Sequence, residues 1–273
     1  MNDDEQLIID GIRVVPVRTP TLPPATHTNV WILGDHHVTV IDPASPYPDE
    51  QDRLDTILEM YMVEKIVLTH HHADHVGGAE DLRKRTGARI AAHPLTAERV
   101  GFTVDELLED GDVFGTDAGV WRAIHTPGHA TGHLCFYNAG MGLVAGDMVA
   151  GIGTILLDPP EGNLALYLDS LSMLRDLKPE RLLPAHGPHI EDAVGCLSHY
   201  IHHRHQRTEQ ITRALADSGP ASAEDLVAAV YRDAIPKAFY PIAARQVLCH
   251  LQWLDTMGTV RCDDGVYMLR TDT

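Results

Sequence analysis

The chain has 273 residues, 44% of them apolar, which suits one large domain, or one domain with an appendage, built on a sizeable core. Its 21 Lys and Arg against 39 Asp and Glu give a formal charge of −18 with no long basic tract, arguing against a general nucleic-acid or anionic-membrane binder while leaving room for a local positive groove. The acidic start MNDDEQLIID is followed by no apolar signal region, no later run is long enough to span a bilayer, and Cys135, Cys196, Cys249 and Cys262 form no C-x-x-C pair, so we expect a cytoplasmic protein with reduced thiols.

In chain order, GIRVVPVRTP (11–20) and THTNVWILGDHHVTVIDP (26–43) alternate apolar and polar residues around the turn GDHH and read as strands, the second stretch as a hairpin. DRLDTILEMYM has helical spacing, and EKIVLTH is a short apolar strand that delivers a histidine cluster at its C-terminal end. GGAEDLRKRTG restarts a helix that stops at a glycine, and ARIAAHP is a further strand. Residues 119–149 look like successive strands with glycine-containing turns. LALYLDSLSMLRDLKPE then reads as an amphipathic helix ending at a proline, before the short strand in RLLPAHGP. Strands and helices that alternate with hairpins favour a mixed sheet with helices packed on it. From about Glu191 the chain changes character. A long polar helix leads to SAEDLVAAVYRDAI and IAARQVLCHLQWLDTMG, read as two helices, and to TVRCDDGVYMLR, read as a two-stranded wing. Its second helix offers only Arg245 and His250 against Asp255, too little positive charge for a DNA-reading helix.

The stretch LTHHHADHVGG (68–78) carries the chemistry. Four histidines and an aspartate in six positions are costly to pack unless something binds them, and a metal ion does so. In an extended loop His70 and His72 point the same way and can grip one cation. After the chain turns, Asp74 and His75 can address a second point nearby. Zinc accepts imidazole nitrogen and carboxylate oxygen at about 2.0–2.2 Å. Gly77 and Gly78 remove side-chain bulk where the backbone passes close by. Downstream, HTPGHATGH offers His129, AGDMV offers Asp147 at a strand end, and LPAHGP offers His186. His71 is read as pointing away from the metals, His125 and His133 as loop-bracing groups, His93 as a local helix cap, and Asp42 as a hydrogen-bonding group behind the site.

These motifs, in this order, resemble the metallo-β-lactamase superfamily over essentially the whole chain. The resemblance implies an α/β protein with an αββα sandwich at 1–190 and a connecting helix with a small winged-helix-like domain at 191–273. It implies that His70, His72 and His129 hold one metal, that Asp74, His75 and His186 hold the other, and that Asp147 bridges them. Two Zn²⁺ are the expected cofactors, with iron or manganese left open. The tail is similar to the branch that includes lactamase-like endoribonucleases and polyketide thioesterases, and TPGHATGH is also similar to glyoxalase II. Asp74 together with Asp147, and the lack of a signal peptide, look unlike the periplasmic zinc β-lactamases.

The implied activity is that of a binuclear zinc hydrolase using a hydroxide bridging the two metals, with Asp74 and Asp147 as its catalytic carboxylates. A thiolate leaves without prior protonation, so an ester or thioester of a small acyl substrate is the expected target. One rival is a single-stranded RNA endoribonuclease, which the charge disfavours; another is a non-enzymatic winged-helix regulator with structural metal. No DNA or membrane partner is expected, and a homo-oligomer remains open. On the long helix, Arg204, Arg207 and Gln210 are expected to lean toward the cleft and hold a polar or anionic substrate tail, against the alternative of a solvated face. Ile152, Ile155 and Leu156 are expected to wall the pocket.

Overall fold

The structure is a computed structural model and describes residues 6–232 and 234–270; the acidic first five residues lie outside them. The first half runs β1 (Gln6–Ile9), β2 (Ile12–Arg18), β3 (His27–Leu33), β4 (His37–Ile41), α1 (Pro48–Leu58), β5 (Met62–Val67), α2 (Ala73–Val76), α3 (Ala79–Thr86), β6 (Arg89–Ala92), α4 (Pro94–Ala97) and β7 (Glu106–Leu107). The second half adds β8 (Val113–Thr116), β9 (Gly119–His125), β10 (Leu134–Asn138), β11 (Gly142–Gly146), α5 (Leu164–Asp176), β12 (Leu182–Pro184), α6 (Ala193–Ser218), α7 (Ala223–Tyr231), α8 (Tyr240–Thr256), β13 (Val260–Asp263) and β14 (Val266–Leu269).

A seven-stranded sheet has the order β1-β2-β3-β4-β5-β6-β7, and a five-stranded sheet the order β12-β11-β10-β9-β8. The first is antiparallel from β1 to β4 and parallel from β4 to β7; the second is antiparallel except where β11 pairs with β12. Alternation along the strands sets the layers. Ile12, Val14, Trp31 and Leu33 meet Phe114, Trp121, Leu134 and Phe136 between the sheets. Their neighbours Val15, Val17, Val30 and Ile32 face outward onto Leu54 and Ile57 of α1 and Leu82 of α3. On the far side, Ile124, Cys135, Leu143 and Ala145 pack on Leu168 and Leu171 of α5 and Leu197 of α6. These strands are covered on both faces, so apolar residues stand on both sides of β2 and β3 where apolar and polar residues were expected to alternate. The result is a mixed αββα sandwich.

The clearest boundary difference from expectation is in the first helix. The helix read at DRLDTILEMYM begins earlier, at Pro48, and stops at Leu58. Proline at its first position and Asp49 and Glu50 in its first turn favour that start. Met62 belongs to β5, paired with His37.

The tail forms a fourth cluster in which Leu226 and Val227 of α7 meet Val247, Leu251 and Leu254 of α8, Val260 and Tyr267. Ser222 and Asp225 form a capping box at the start of α7, and β13 and β14 make an antiparallel wing. Helix α6 belongs to both parts. Leu197 and Tyr200 lie in the cluster under the second sheet, while Ile211 and Leu215 lie in the terminal one.

Candidate metal centre and cleft

Every residue expected to bind metal follows the C-terminal end of a strand or sits in a loop at one edge of the sandwich. His70 comes after β5, and His72 is the N-cap of the one-turn α2 that carries Asp74 and His75. His129 lies between β9 and β10, Asp147 directly after β11, and His186 just after β12. Two close approaches explain local glycines. A Cβ on Gly78 would stand 2.5 Å from the Pro43 carbonyl oxygen, so only glycine lets α2 and α3 seat against the 43–46 turn. Gly146 has φ +48°, and its Cβ would meet His133 Nε2 at 2.5 Å, immediately before Asp147.

Six of the seven side chains form two groups whose donor atoms lie within 4.8 Å of one another, His70, His72 and His129, and Asp74, His75 and His186, while Asp147 groups with His70 and His75. In the first, His70 Nε2 is 2.9 Å from His72 Nδ1, and His129 Nε2 is 3.3 Å from His70 Nε2 and 3.1 Å from His72 Nδ1. The contact between His70 Nε2 and His129 Nε2 is not an ordinary hydrogen bond. His70 Nδ1 faces Thr69 Oγ1 at 3.0 Å, and that hydroxyl gives its own proton to Asp42 Oδ2 at 2.6 Å. His129 Nδ1 donates to the Leu156 carbonyl at 2.9 Å. Both Nδ1 atoms are therefore protonated, leaving Nε2 bare, and bare nitrogens this close repel unless a cation lies between them. Donors about 2.0–2.1 Å from one tetrahedral cation would lie about 3.3–3.4 Å apart, near the observed spacings.

Asp147 stands between the groups. Its Oδ2 is 3.4 Å from His129 Nε2, and its Oδ1 is 3.4 Å from His186 Nε2 and 3.6 Å from His75 Nε2. Asp74 Oδ2 is 3.7 Å from His186 Nε2. His75 Nε2 and Asp147 Oδ1 are buried without a hydrogen-bond partner among the described residues. Orphaned buried atoms of this kind are costly, and a divalent ion on each side of Asp147 would satisfy them. The donor set thus fits two metal ions.

The electrostatics differ between the groups. Burial, then the rings of His75, His72 and His129, hold His70 well below the usual imidazole pKa. Burial and neighbouring histidines push His72 down to about 3, and burial lowers His129 as well. At His75 burial again opposes charge, but Asp147, Asp42 and Asp74 outweigh it and hold the pKa well above its ordinary value. His186 is likewise raised, its burial outweighed by Asp147. Burial would lift Asp147, yet His186 and His75 hold it well below the carboxylate range.

A supporting layer fixes these groups. Asp42 accepts from Thr69 N at 2.8 Å, from Thr69 Oγ1, and from His75 Nδ1 at 2.9 Å, and so lies behind the donors rather than among them. His133 Nε2 accepts from Asp147 N at 3.1 Å, and His186 Nδ1 donates to the His27 carbonyl at 3.0 Å. His71 Nε2 pairs with Glu161 at 3.3 Å and with His72 and Glu161 forms a further donor group beside the first, His125 bonds the Thr131 carbonyl, and His93 caps α4 by accepting from Leu95 N.

A cleft of about 750 Å³ opens over the centre, lined by His72, Asp74, His129, Asp147 and His186, with the fully buried His70 and His75 beneath. Its walls are largely apolar. Leu22 and Pro23 line it, as do Ile152, Ile155 and Leu156, the three residues expected there. The wall that sequence reasoning missed comes from the tail: Tyr231, Ile235, Phe239 and Ile242, with Arg245 and Gln246. Glu161, also missed, lines it too. A second hollow of about 660 Å³ shares Pro24, Ala25 and Ile152 with the cleft.

The residues expected to hold a substrate tail lie elsewhere. Arg204 is buried, donates to the Ile155 carbonyl at 2.5 Å and stacks over Tyr167 at 5.1 Å. Arg207 stacks on Tyr231 at 4.2 Å, and Gln210 is exposed. None of the three lines the cleft, because the helix face carrying Arg204 is the one packed inward.

The fold and the donor arrangement define a metallohydrolase of the lactamase type, and comparison with known proteins agrees. The profile of the Metallo-beta-lactamase superfamily matches residues 23–186, and that of the Beta-lactamase associated winged helix domain matches residues 222–266. The Beta-lactamase-like protein 2 homolog of Drosophila melanogaster is 30% identical over 253 residues, covering 86% of this chain and 84% of that protein. The Atrochrysone carboxyl ACP thioesterase dmxR1 of Cryptosporiopsis sp. (strain 8999) is 28% identical over 219 residues, covering 79% and 66%. The crystal structure of a metallo-beta-lactamase family protein from Thermus thermophilus superposes with a TM-score of 0.82 at 25% identity, over 97% of this chain and 100% of that one. The chain belongs to the metallo-beta-lactamase superfamily and is a metal-dependent hydrolase with a C-terminal winged-helix domain. Among the described residues no helix is long and apolar enough to cross a membrane.

Proposed function

We propose that this enzyme hydrolyses a thioester or activated ester with an apolar acyl part, using two divalent cations, zinc foremost. His70, His72 and His129 would hold one, Asp74, His75 and His186 the other, and Asp147 would lie between. The observation that carries the reading is a set of bare imidazole nitrogens and a two-faced carboxylate opening onto a cleft walled by apolar side chains. A metal pair there would supply an acidified water and polarise the substrate carbonyl.

The chain's own residues account for the rest. Asp42, Thr69 and His133 hold the donors in place, so little reorganisation is needed when charge develops. Leu22, Ile155, Leu156 and Phe239 would take the acyl group and exclude water from the reacting carbonyl. Asp74 keeps a carboxylate at the cleft that can carry a proton away. A thiolate needs no acid to leave, and the hollow beyond Ile152 gives a long leaving group somewhere to lie. The thioesterase relative supports this bond type. Among the described residues Arg245 is the one Lys or Arg lining the cleft, and it is bonded to Asp158 and the Pro159 carbonyl. That leaves no cationic track for RNA, and it favours small acyl substrates over the endonuclease reading. Four free cysteines suit a reducing, cytoplasmic compartment.

The test is a panel of acyl thioesters, lactones and a labelled single-stranded RNA, each run with zinc and with chelator, alongside His72→Ala and Asp147→Ala. Zinc-dependent thioester turnover, lost in both variants with their metal content, is expected. Cleavage of the RNA with the thioesters untouched would overturn the proposal.

A further inference from the structure

The stretch between β11 and α5 carries Ile155, Leu156 and Leu157, and residues 151–163 form no helix or strand. Such a segment has no ladder of its own to fix its backbone, so its position depends on what grips it from outside. Three consecutive residues are gripped from three directions. Arg204 Nη2 of α6 donates to the Ile155 carbonyl at 2.5 Å. His129 Nδ1 donates to the Leu156 carbonyl at 2.9 Å. Leu157 N donates to Gln246 Oε1 of α8 at 3.0 Å. Ile155 and Leu157 are buried at 2% and 0% exposure, so water does not compete for the two bonds that flank the partly exposed Leu156.

We propose that Gln246 and Arg204 are positioning residues for the metal donor His129, acting through the backbone of Ile155–Leu157. The inference rests on His129 being a metal ligand. The Leu156 carbonyl fixes the His129 ring in the tautomer that leaves Nε2 bare toward His70 and His72, and that carbonyl points where it does because its two neighbours are pinned.

A second observation favours this over plain packing. Arg204 and Gln246 are 2% and 7% exposed, and Arg204 Nε and Gln246 Nε2 have no hydrogen-bond partner among the described residues. Arg204 finds a carbonyl and the Tyr167 ring where a buried guanidinium usually finds a carboxylate. Arg204 buries a charge with no carboxylate to offset it and Gln246 buries an unpaired NH₂, costs that packing alone does not explain. What they provide is a fixed place for one peptide segment. The winged-helix domain, through α8, is thereby part of the metal centre's support as well as a wall of the cleft.

The experiment compares the full chain with Gln246→Met, Gln246→Glu, Arg204→Met, His129→Ala and, as a control on the exposed face of α8, Gln252→Ala. Each is loaded with Co²⁺ or Zn²⁺ after chelation. The readouts are affinity by competition with a chromophoric chelator, the visible spectrum of the Co²⁺ form, and amide exchange at Leu157 in the metal-free form. Gln246→Met should lower affinity for one of the two metals about 10-fold, the low end of the range for losing a group bonded directly to a ligand, because Gln246 acts one peptide further out. It should also alter the cobalt bands and speed exchange at Leu157. Gln246→Glu, which keeps an accepting oxygen, should restore all three, and Gln252→Ala should match the parent. Arg204→Met should repeat the loss, so the inference survives if one variant fails to fold. Parental affinity and cobalt spectrum in folded Gln246→Met and Arg204→Met would reduce both residues to packing and overturn the proposal. Parental metal content in His129→Ala would instead remove the ligand assignment beneath it.

Discussion

Replacing Asp42 by Asn tests the support of the second donor group directly. The Asp42 side chain is 3% exposed and accepts three hydrogen bonds: from Thr69 N at 2.8 Å, Thr69 Oγ1 at 2.6 Å and His75 Nδ1 at 2.9 Å. Asparagine has nearly the same shape but one accepting oxygen. If that oxygen keeps the Thr69 amide, the new NH₂ faces the Thr69 hydroxyl and the His75 Nδ1–H, two groups that were donating. The hydroxyl can rotate. The imidazole can relieve the clash only by moving its proton to Nε2, which faces Asp147 at 3.6 Å. A protonated Nε2 cannot bind metal. Two mispaired buried groups cost about 1–3 kcal/mol each, and a ligand without its orienting carboxylate loses about 10- to 100-fold in metal affinity. Asp42→Asn should therefore be less stable by a few kcal/mol in urea unfolding with chelator present, and should hold about one metal per chain after dialysis against dilute chelator. Asp42→Glu would not repair it, because the extra methylene has no room. An Asp42→Asn protein that retained the parent's metal stoichiometry under those conditions would refute the idea that this carboxylate sets the His75 tautomer.

Three further outcomes can be checked. Phe239→Ala removes an apolar side chain from the tail's wall of the cleft; losing part of its burial is worth about 1–2 kcal/mol, or about 5- to 30-fold in kcat/KM for a bulky apolar acyl thioester. An acetyl thioester should be almost unaffected, and an equal loss on both would mean that Phe239 acts on folding. Leu171, fully buried in α5 beneath the second sheet, should cost about 2–5 kcal/mol when cut to Ala; a urea midpoint within error of the parent would contradict that packing. His250 bonds Thr208 Oγ1 at 2.8 Å, and burial, then Arg204, Arg207, His203 and His205, hold its pKa well below the usual value. It stays neutral in the fold while the unfolded chain takes up a proton below about pH 6.5. Its contribution is thus present above that pH and is lost, by about 1.4 kcal/mol per pH unit, as the pH falls toward the depressed value. His250→Asn should flatten the fall in urea stability between pH 6.5 and 5 by one proton's worth; an unchanged slope would show that His250 is not the linked group.

How much of this was legible depended on whether the signal was local. The donor cluster was, because HHHADH packs four of the donors into six positions and the remaining three sit beside glycines at strand ends. The strands were, because short runs rich in Val and Ile are bounded by turn residues such as GDHH, although both faces of β2 proved apolar where polar residues were expected on one. The role of α6 was misread for a reason visible in its register. Arg204, Arg207 and Gln210 were expected to lean together toward the cleft, whereas Arg204 is buried and Gln210 is exposed. The stripe that matters is Leu197, Tyr200, Arg204, Thr208, Ile211 and Leu215, and its two polar members hid its inward direction. Nothing local to Arg204 says that its partner is a carbonyl 49 residues away in the chain. The second wall of the cleft was invisible for the same reason: nothing local to Phe239 or Ile242 shows that the terminal domain folds against the Ile155 loop.

That packing also changes what the winged-helix fold can mean here. In a DNA-binding relative of this architecture the second helix lies along a groove of the duplex and presents cationic and polar side chains outward. In this chain the corresponding helix, α8, turns Gln246 and His250 inward, packs Cys249 into the cluster beneath the second sheet, and binds Asp158 and Pro159 through Arg245. A helix used in this way has its charge neutralised and its reading face covered. The module keeps the fold, while the surface that carried sequence recognition elsewhere has become a wall over a metal centre, as expected when function resides in sites rather than folds. Detaching residues 219–273 should therefore do more than strip a wall: it removes Tyr231, Phe239 and Ile242 from the cleft and Gln246 from the Leu157 amide, and it uncovers Ile211 and Leu215 of α6, so turnover and solubility should fall together.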